Sequence, residues 1–180
     1  MFIDELQKGS QQAFKKLIEM YSHDVVKSCY SFVKNQEDAE DIAQEVFLDV
    51  YRSIKSFKKD SELKTWIIRI AINESLDFLR KQKRKKRIGD LKELFLHKNK
   101  PDIGPGKQLE DEERRKILYQ QIAKLPENQK IAMILSQYDK QSNKSIAEIM
   151  KTSESAVESL LHRARENLKK RLQKIFEKNI

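Results

Sequence analysis

Length, composition and charge limit what this chain can be. Its 180 residues suffice for one domain or two small ones, and only 4 Gly and 3 Pro argue against a loop-rich or all-β fold. A chain with 38% hydrophobic and 36% charged residues suits small helical units that bury narrow apolar stripes. The formal net charge of +9 favours a polyanionic partner, and nucleic acid is the first candidate.

The residue inventory excludes several classes of protein. The single cysteine, Cys29, excludes an internal disulfide and a multi-cysteine metal site, and its apolar surroundings predict a buried structural thiol. No apolar run approaches the ~20 residues of a membrane span and no signal-peptide pattern is present, so we expect a cytoplasmic protein without membrane insertion. Because His23, His97 and His162 are scattered and no glycine-rich phosphate loop exists, we expect neither an enzyme nor a cofactor.

Helical periodicity covers the first half of the chain. Residues 10–34 predict one long helix or a helix pair, and a second helix follows from residue 38 to about residue 56. The loop at 57–62 then interrupts the pattern, and a further helix begins at Leu63 and continues to about Lys86. These elements predict a helical N-terminal domain at residues 1–88.

The second half of the chain predicts another helical domain, at residues 110–180. A helix begins near Glu110, and Leu125-Pro126 ends it and opens the next. Two further helices follow at about 142–150 and 153–172. Two Pro and two Gly within residues 101–106 predict a linker, placed at 89–109, so the expected fold is all-α with two small domains.

The helix at 38–56 carries an acidic outer face. Its apolar positions form one arc, made of Ala39, Ala43, Val46, Val50 and Ile54. Its outward positions are Asp41, Gln44, Glu45, Leu48 and Arg52. Phosphates would repel such a face, so it suits a protein partner with basic residues, and Leu48 would add apolar contact. A helix face that is simply solvated is the alternative, which periodicity alone favours.

The helix that begins near Leu63 carries a basic, aromatic stripe. At about 100° per residue, one narrow arc contains Trp66, Arg69, Asn73, Asp77, Arg80 and Arg84. Cations hold phosphates, an indole stacks where a base leaves the duplex, and an amide bonds an exposed base edge, so the stripe suits DNA whose strands are separating. The preceding segment offers Lys58, Lys59, Ser61 and Lys64 around an extruded base. In the alternative interpretation Trp66 belongs to the core and the basic run is a solvated tail.

Residues 142–165 have the pattern of a helix-turn-helix. Ser142 and Ser153 are suited to cap the two helices, and Lys151 lies in the tight link between them. In the second helix the predicted buried side is Val157, Leu161, Ala164 and Leu168, while Ser155, Glu158, Ser159, His162 and Arg163 face outward. A small polar face on a capped helix suits the major groove, although a solvated helix of a bundle has the same pattern.

These segments, in this order, resemble the extracytoplasmic-function (ECF) branch of the sigma-70 family, which keeps only regions 2 and 4. The resemblance rests on the strings at 38–47, 57–73, 125–127, 145–149 and 159–165. It implies a sigma factor that binds core RNA polymerase and directs it to promoters. It also implies that an anti-sigma factor holds the protein inactive, and such a factor can also hold it at the membrane.

The resemblance implies three sets of site residues. The set for the polymerase β′ clamp coiled coil is Asp41, Gln44, Glu45, Phe47 and Tyr51, to which the outward Leu48 is added. The set for the −10 element is Lys58, Lys59, Ser61, Lys64, Thr65, Trp66, Arg69 and Asn73, to which Arg80 and Arg84 of the basic stripe are added. The set for the −35 element is Ser153, Ser155, Glu158, Ser159, His162, Arg163 and Arg165. The surface of region 4 is expected to touch the β flap.

Two other functions compete with this interpretation. A two-domain repressor or activator would account for the basic charge and the helix-turn-helix. It would not account for an indole in line with Asn73, or for the acidic and apolar helix face. A nuclease built from dispersed carboxylates is the enzyme that pattern alone leaves open.

Overall fold

The computed structural model describes residues 2–90, 108–137 and 139–177, and every regular element in these ranges is helical. The elements are α1 (Phe2–Gln7), α2 (Gln11–Val33), α3 (Gln36–Ser53), a 3-10 turn (Ile54–Ser56), α4 (Leu63–Asp90), α5 (Gln108–Ala123), α6 (Glu127–Gln137), α7 (Asn143–Met150) and α8 (Glu154–Phe176). The predicted all-α class is confirmed. None of the helices in these ranges combines the length and the apolar character that crossing a bilayer requires.

The chain forms two compact units, one built on α1–α4 and the other on α5, α6 and α8. The predicted domain limits, 1–88 and 110–180, remain predictions. Helix α4 continues to Asp90 and α5 begins at Gln108, so helix enters both ends of the predicted linker. The remainder of that linker lies outside the described residues.

Short polar side chains begin the helices of the first unit. The Ser10 hydroxyl accepts a hydrogen bond from the Ala13 amide at 3.2 Å and so caps α2. The Asn35 side chain accepts from the Asp38 amide at 2.9 Å and caps α3. Between these helices Lys34 adopts the left-handed conformation (φ 58°) and ends α2, which is one continuous helix rather than a pair.

The core of the first unit lies where α2, α3 and α4 pack together. All five apolar positions predicted for the inner arc of α3 are buried: Ala39, Ala43, Val46, Val50 and Ile54. Cys29 is fully buried among them, which confirms its prediction as a core thiol. Burial of these narrow apolar faces is the main stabilising contribution to a unit of this size.

In the second unit, α8 packs against α5 and α6. The predicted inner positions of α8 are all buried: Val157, Leu161, Ala164 and Leu168. The Asn167 amide donates to the Gln129 side-chain oxygen at 2.9 Å and ties α8 to α6. These contacts hold the opposite face of α8 toward solvent.

Candidate nucleic-acid and protein interfaces

The loop at 57–62 packs against the start of α4 through two aromatic rings. Phe57, the first residue of the loop, is 4% exposed, and its ring centroid lies 5.1 Å from that of Trp66 with the planes tilted by 40°. Trp66 is half-buried and packs against the core of the first unit. The indole is therefore both a packing element of the core and partly open to solvent, and its contact with DNA stays a prediction.

The same loop contains a buried hydroxyl that makes no hydrogen bond. The Ser61 Oγ is inaccessible and has no partner among the described residues. Nearly all buried polar atoms in proteins are hydrogen-bonded, because an unpaired one retains its full desolvation cost. The loop backbone is also unusual at Lys59, which adopts a left-handed φ of 60°. Ser61 as a residue is only partly buried, so rotation about its Cα–Cβ bond brings the hydroxyl to the surface, where a polar ligand group would satisfy it.

Two lysines of the predicted −10 set pair with carboxylates that the sequence analysis did not single out. Lys59 Nζ lies 2.6 Å from Asp4 of α1, and Lys64 Nζ lies 2.5 Å from Asp24 of α2. The hydrogen bond from Lys59 lowers the pKa of the Asp4 carboxyl to about 2. No sequence signal indicates these partners, because helix packing brings together residues that are far apart along the chain.

The residues of the stripe on α4 differ in their exposure to solvent. Asn73, Arg80 and Arg84 are exposed, whereas Thr65 and Arg69 are partly buried. Asp77, inside the stripe, pairs with Arg80 at 2.9 Å, so this guanidinium is already partly neutralised. Lys58, at the other end of the surface, is exposed.

The outer face of α3 is exposed to solvent. Asp41, Gln44 and Glu45 are exposed, and they adjoin two exposed apolar residues, Leu48 at 46% and Tyr51 at 50%. The Tyr51 ring is steadied by an edge-on contact with Phe14 of α2, with centroids 5.0 Å apart.

Phe47 is the correction to this set of residues. Its side chain is 8% exposed and belongs to the core cluster, because its position on α3 turns inward beside Val46 and Val50. Phe47 therefore supports the outer face of α3 from beneath and forms no part of it.

The acidic face continues into a cleft between α3 and α4 that sequence reasoning missed. The cleft has a volume of about 310 Å³, and its α4 wall consists of Glu74, Phe78 and Lys81. Burial raises the pKa of the Glu74 carboxyl, and the nearby Asp49 and Asp77 raise it further. The packing of two helices creates this wall, so the periodicity of either helix alone does not indicate it.

The second unit presents the predicted outer face of α8. Ser153 caps the helix by accepting from the Ala156 amide at 3.2 Å, and its hydroxyl also lies 3.1 Å from that of Ser155. Lys151, in the tight link before α8, adopts a left-handed φ of 51°.

The remaining members of the −35 set are all exposed on α8: Glu158, Ser159, His162, Arg163 and Arg165. Arg163 donates to the Ser159 carbonyl at 3.2 Å, which lays its guanidinium along the helix. A straight, capped helix with short polar side chains has the shape that a major groove admits.

Comparison with known proteins identifies the family. Residues 17–85 match the family Sigma-70 region 2, and residues 115–168 match the family Sigma-70, region 4. The chain is 31% identical to the ECF RNA polymerase sigma-E factor of Escherichia coli K12, over 99% of this chain and 96% of that protein. It belongs to the ECF sigma factors. This sigma factor therefore acts in promoter-directed transcription initiation by RNA polymerase.

Other comparisons agree with this assignment. The sigma factor is also 31% identical to the RNA polymerase sigma-H factor of Pseudomonas aeruginosa, over 97% of this chain and 93% of that protein. Its fold is similar to that of CnrH in complex with the cytosolic domain of CnrY, with a TM-score of 0.64, 20% identity and coverage of 96% and 95% of the two chains. It is also similar to RpoE in complex with the anti-sigma factor NepR from Bartonella quintana, with a TM-score of 0.59, 23% identity and coverage of 89% and 96%. At these identities the two structures support the fold alone.

Proposed function

We propose that the loop at 57–62 and the stripe on α4 hold a separated strand of the −10 element, and that the loop accepts one unstacked base. The observation that carries this proposal is the Ser61 hydroxyl, which is buried without a partner in a loop rimmed by Lys58, Lys59 and Lys64. A base edge supplies the missing hydrogen bond, and the lysines neutralise its flanking phosphates.

The aromatic pair and the amide extend this surface along α4. The open part of the Trp66 indole stacks on an exposed base, an interaction worth about 1–3 kcal/mol per base. Asn73 lies two helical turns further along the same arc and is exposed, so its amide reaches a second base edge. Arg69, between Trp66 and Asn73, holds the DNA backbone there, and Arg80 and Arg84 hold it beyond Asn73. Binding the separated strand more tightly than the duplex is how this surface promotes melting.

The outer face of α3 is proposed to bind the clamp coiled coil of the polymerase β′ subunit. Its three polar residues, Asp41, Gln44 and Glu45, suit basic and amide partners, and the adjoining Leu48 and Tyr51 provide apolar area at 46% and 50% exposure. A polar rim beside an exposed apolar patch is the usual composition of a protein interface. The cleft walled by Glu74, Phe78 and Lys81 continues this surface onto α4.

Helix α8 is proposed to read the −35 element as duplex. Ser155, Ser159 and His162 are exposed near its N-terminal end, where a recognition helix meets base edges. Glu158 is suited to accept from a cytosine amino group, and Arg163 and Arg165 to hold phosphates. Ser153 acts through its cap, since that bond fixes the N-terminal turn of α8 that meets the DNA. The surface of region 4 contacts the β flap.

The same proposal covers regulation and location. An anti-sigma factor holds this sigma factor inactive in the cytoplasm. The sigma factor itself catalyses no reaction and binds no cofactor. Two proteins of similar fold form complexes with protein partners: RpoE with the anti-sigma factor NepR, and CnrH with the cytosolic domain of CnrY.

A fluorescence titration tests the carrying observation. Trp66 is the only tryptophan of the chain, so its emission reports directly on a base stacked beside the loop. Single-stranded DNA carrying the −10 element should quench it, whereas the duplex should quench it less. Ser61→Ala should weaken the single-strand complex by about fivefold, as expected for one lost hydrogen bond.

The matched control is Ser136→Ala, which removes a partly exposed hydroxyl from α6 of the second unit. It should bind as the unaltered protein does. Equal quenching by single strand and duplex, or unchanged binding by Ser61→Ala, would remove the loop from the −10 site.

A further inference from the structure

The side chain of Gln7 fastens the DNA-binding loop to α1. Its Nε2 donates to the carbonyl of Phe57 at 2.9 Å and to the carbonyl of Ile54 at 3.2 Å. Ile54 begins the 3-10 turn and Phe57 begins the loop, so one amide group closes the segment that leads from α3 into the loop. Both carbonyls belong to residues whose side chains are buried, which leaves little room for water to replace the amide.

The neighbouring residues fix the direction in which the Gln7 side chain points. Leu6 is 3% exposed and anchors the end of α1 in the core, and Gly9 reverses the chain with a left-handed φ of 83°. Asp4 lies three residues before Gln7 on the same helix, and its carboxylate pairs with Lys59 of the loop at 2.6 Å. The same face of α1 therefore holds the loop at two points, by its backbone through Gln7 and by a side chain through Asp4.

The fastening reaches Trp66 through one residue. Phe57 accepts the Gln7 hydrogen bond through its carbonyl, and its ring packs on the indole at 5.1 Å. A change at Gln7 therefore shifts the ring that steadies Trp66. This path runs from Gln7 through Phe57 to Trp66 and lies wholly within the first unit. Trp66 is the one residue on it that belongs to the predicted DNA-binding set.

We propose that Gln7 is a positioning residue for promoter recognition: it fixes the loop at 57–62 in its binding conformation before DNA arrives. The proposal rests on the proposed function of that loop. An ordered loop loses less conformational entropy on binding than a free one, so the Gln7 amide strengthens DNA binding without touching DNA. The class of ligand affected is single-stranded promoter DNA, and the polymerase-binding face on α3 is unaffected.

The test uses Gln7→Ala and Gln7→Glu in the full chain. Alanine removes both hydrogen bonds, and glutamate keeps the shape but offers the two carbonyls no donor at neutral pH. The control is Gln12→Glu, which places the same charge on an exposed position of α2. Melting curves and core-polymerase affinity are measured for each variant, so a loss through unfolding is recognised directly.

Three results are expected. Both Gln7 variants should shift the Trp66 emission of the free protein, whereas Gln12→Glu should not. Both should bind the single-stranded −10 element about tenfold more weakly, equivalent to about 1.4 kcal/mol, with normal affinity for core polymerase. As the pH falls through the pKa of the new carboxyl, Gln7→Glu should recover toward the unaltered protein because the neutral acid is again a donor, and Gln7→Ala should not.

Separate outcomes overturn the two proposals. Unchanged Trp66 emission and unchanged DNA affinity in both Gln7 variants would remove Gln7 from loop positioning while leaving the −10 site intact. Parallel losses of DNA binding, polymerase binding and melting temperature would make Gln7 a general stability residue and also overturn the inference. If the unaltered protein itself does not bind the single strand, the proposed function of the loop fails first.

Discussion

The two proposed DNA surfaces of this sigma factor are built in different ways. The loop at 57–62 depends on residues outside itself, because Gln7 and Asp4 of α1 hold its backbone and its Lys59. Asp24 of α2 likewise holds Lys64, at the start of α4 beside the loop. The outer face of α8 depends on its own helix, through the Ser153 cap and the hydrogen bond from Arg163 to the Ser159 carbonyl.

The difference follows from what each surface is proposed to bind. A duplex is rigid and offers a groove of fixed width, so a straight helix with short polar side chains is already complementary to it. A single strand is flexible and its bases must be held one at a time, which requires a shaped pocket with ordered walls. Only contacts between elements can order such walls. We therefore expect substitutions far from the loop along the chain to change single-strand binding, and only local ones to change duplex recognition.

The largest expected effect is a loss of polymerase binding that leaves the DNA surfaces unaffected. Asp41→Arg combined with Gln44→Ala should weaken binding to core polymerase at least about 100-fold, because a like charge placed against a basic partner costs several kcal/mol. The −10 single strand should still quench Trp66 in this variant. Competition binding with labelled core polymerase measures the loss.

The control for that experiment is Glu19→Arg combined with Gln12→Ala, two exposed positions on α2. It repeats the same changes of charge and size away from α3. If the control weakens polymerase binding as much as the α3 variant does, the acidic face is not the interface.

An intermediate effect is expected at α8. Ser159→Ala combined with His162→Ala should change the preferred −35 sequence, with a loss of about tenfold on the original site, since a good base contact discriminates by about 1–3 kcal/mol. Selection of bound promoters from a randomised library measures the preference. Single-strand quenching should be unchanged, and Gln173→Ala, exposed further along α8, serves as the control. A uniform loss on all sequences would assign these residues to phosphate contact.

The smallest expected effect is a gain. Asp24→Asn frees Lys64 from its carboxylate partner at 2.5 Å, so affinity for single-stranded DNA should rise by about threefold. The control is Glu19→Gln, which removes a negative charge from an exposed position on the same helix. The same gain in both variants would mean that net charge alone acts.

Much of this organisation was predictable from periodicity. The inner arc of α3 and the inner side of α8 are buried at every predicted position, because burial follows a repeat that a single helix already displays. The caps at Ser142 and Ser153 were predictable for the same local reason, and both hydroxyls accept from an amide three residues on. Phe47, which family resemblance assigned to the polymerase face, lies in the core because of its position on the helix, and its part in polymerase binding stays a prediction.

The helices, their buried faces and, through the resemblance of the motifs, the family follow from the amino-acid sequence alone. These depend on repeats, caps and side-chain types within a few turns of one helix. Tertiary packing brings Gln7 and Asp4 to the loop and Asp24 to Lys64, buries the Ser61 hydroxyl without a partner, and makes Glu74 a wall of the cleft beside α3. Such contacts join residues distant along the chain, and they form only when the helices pack together.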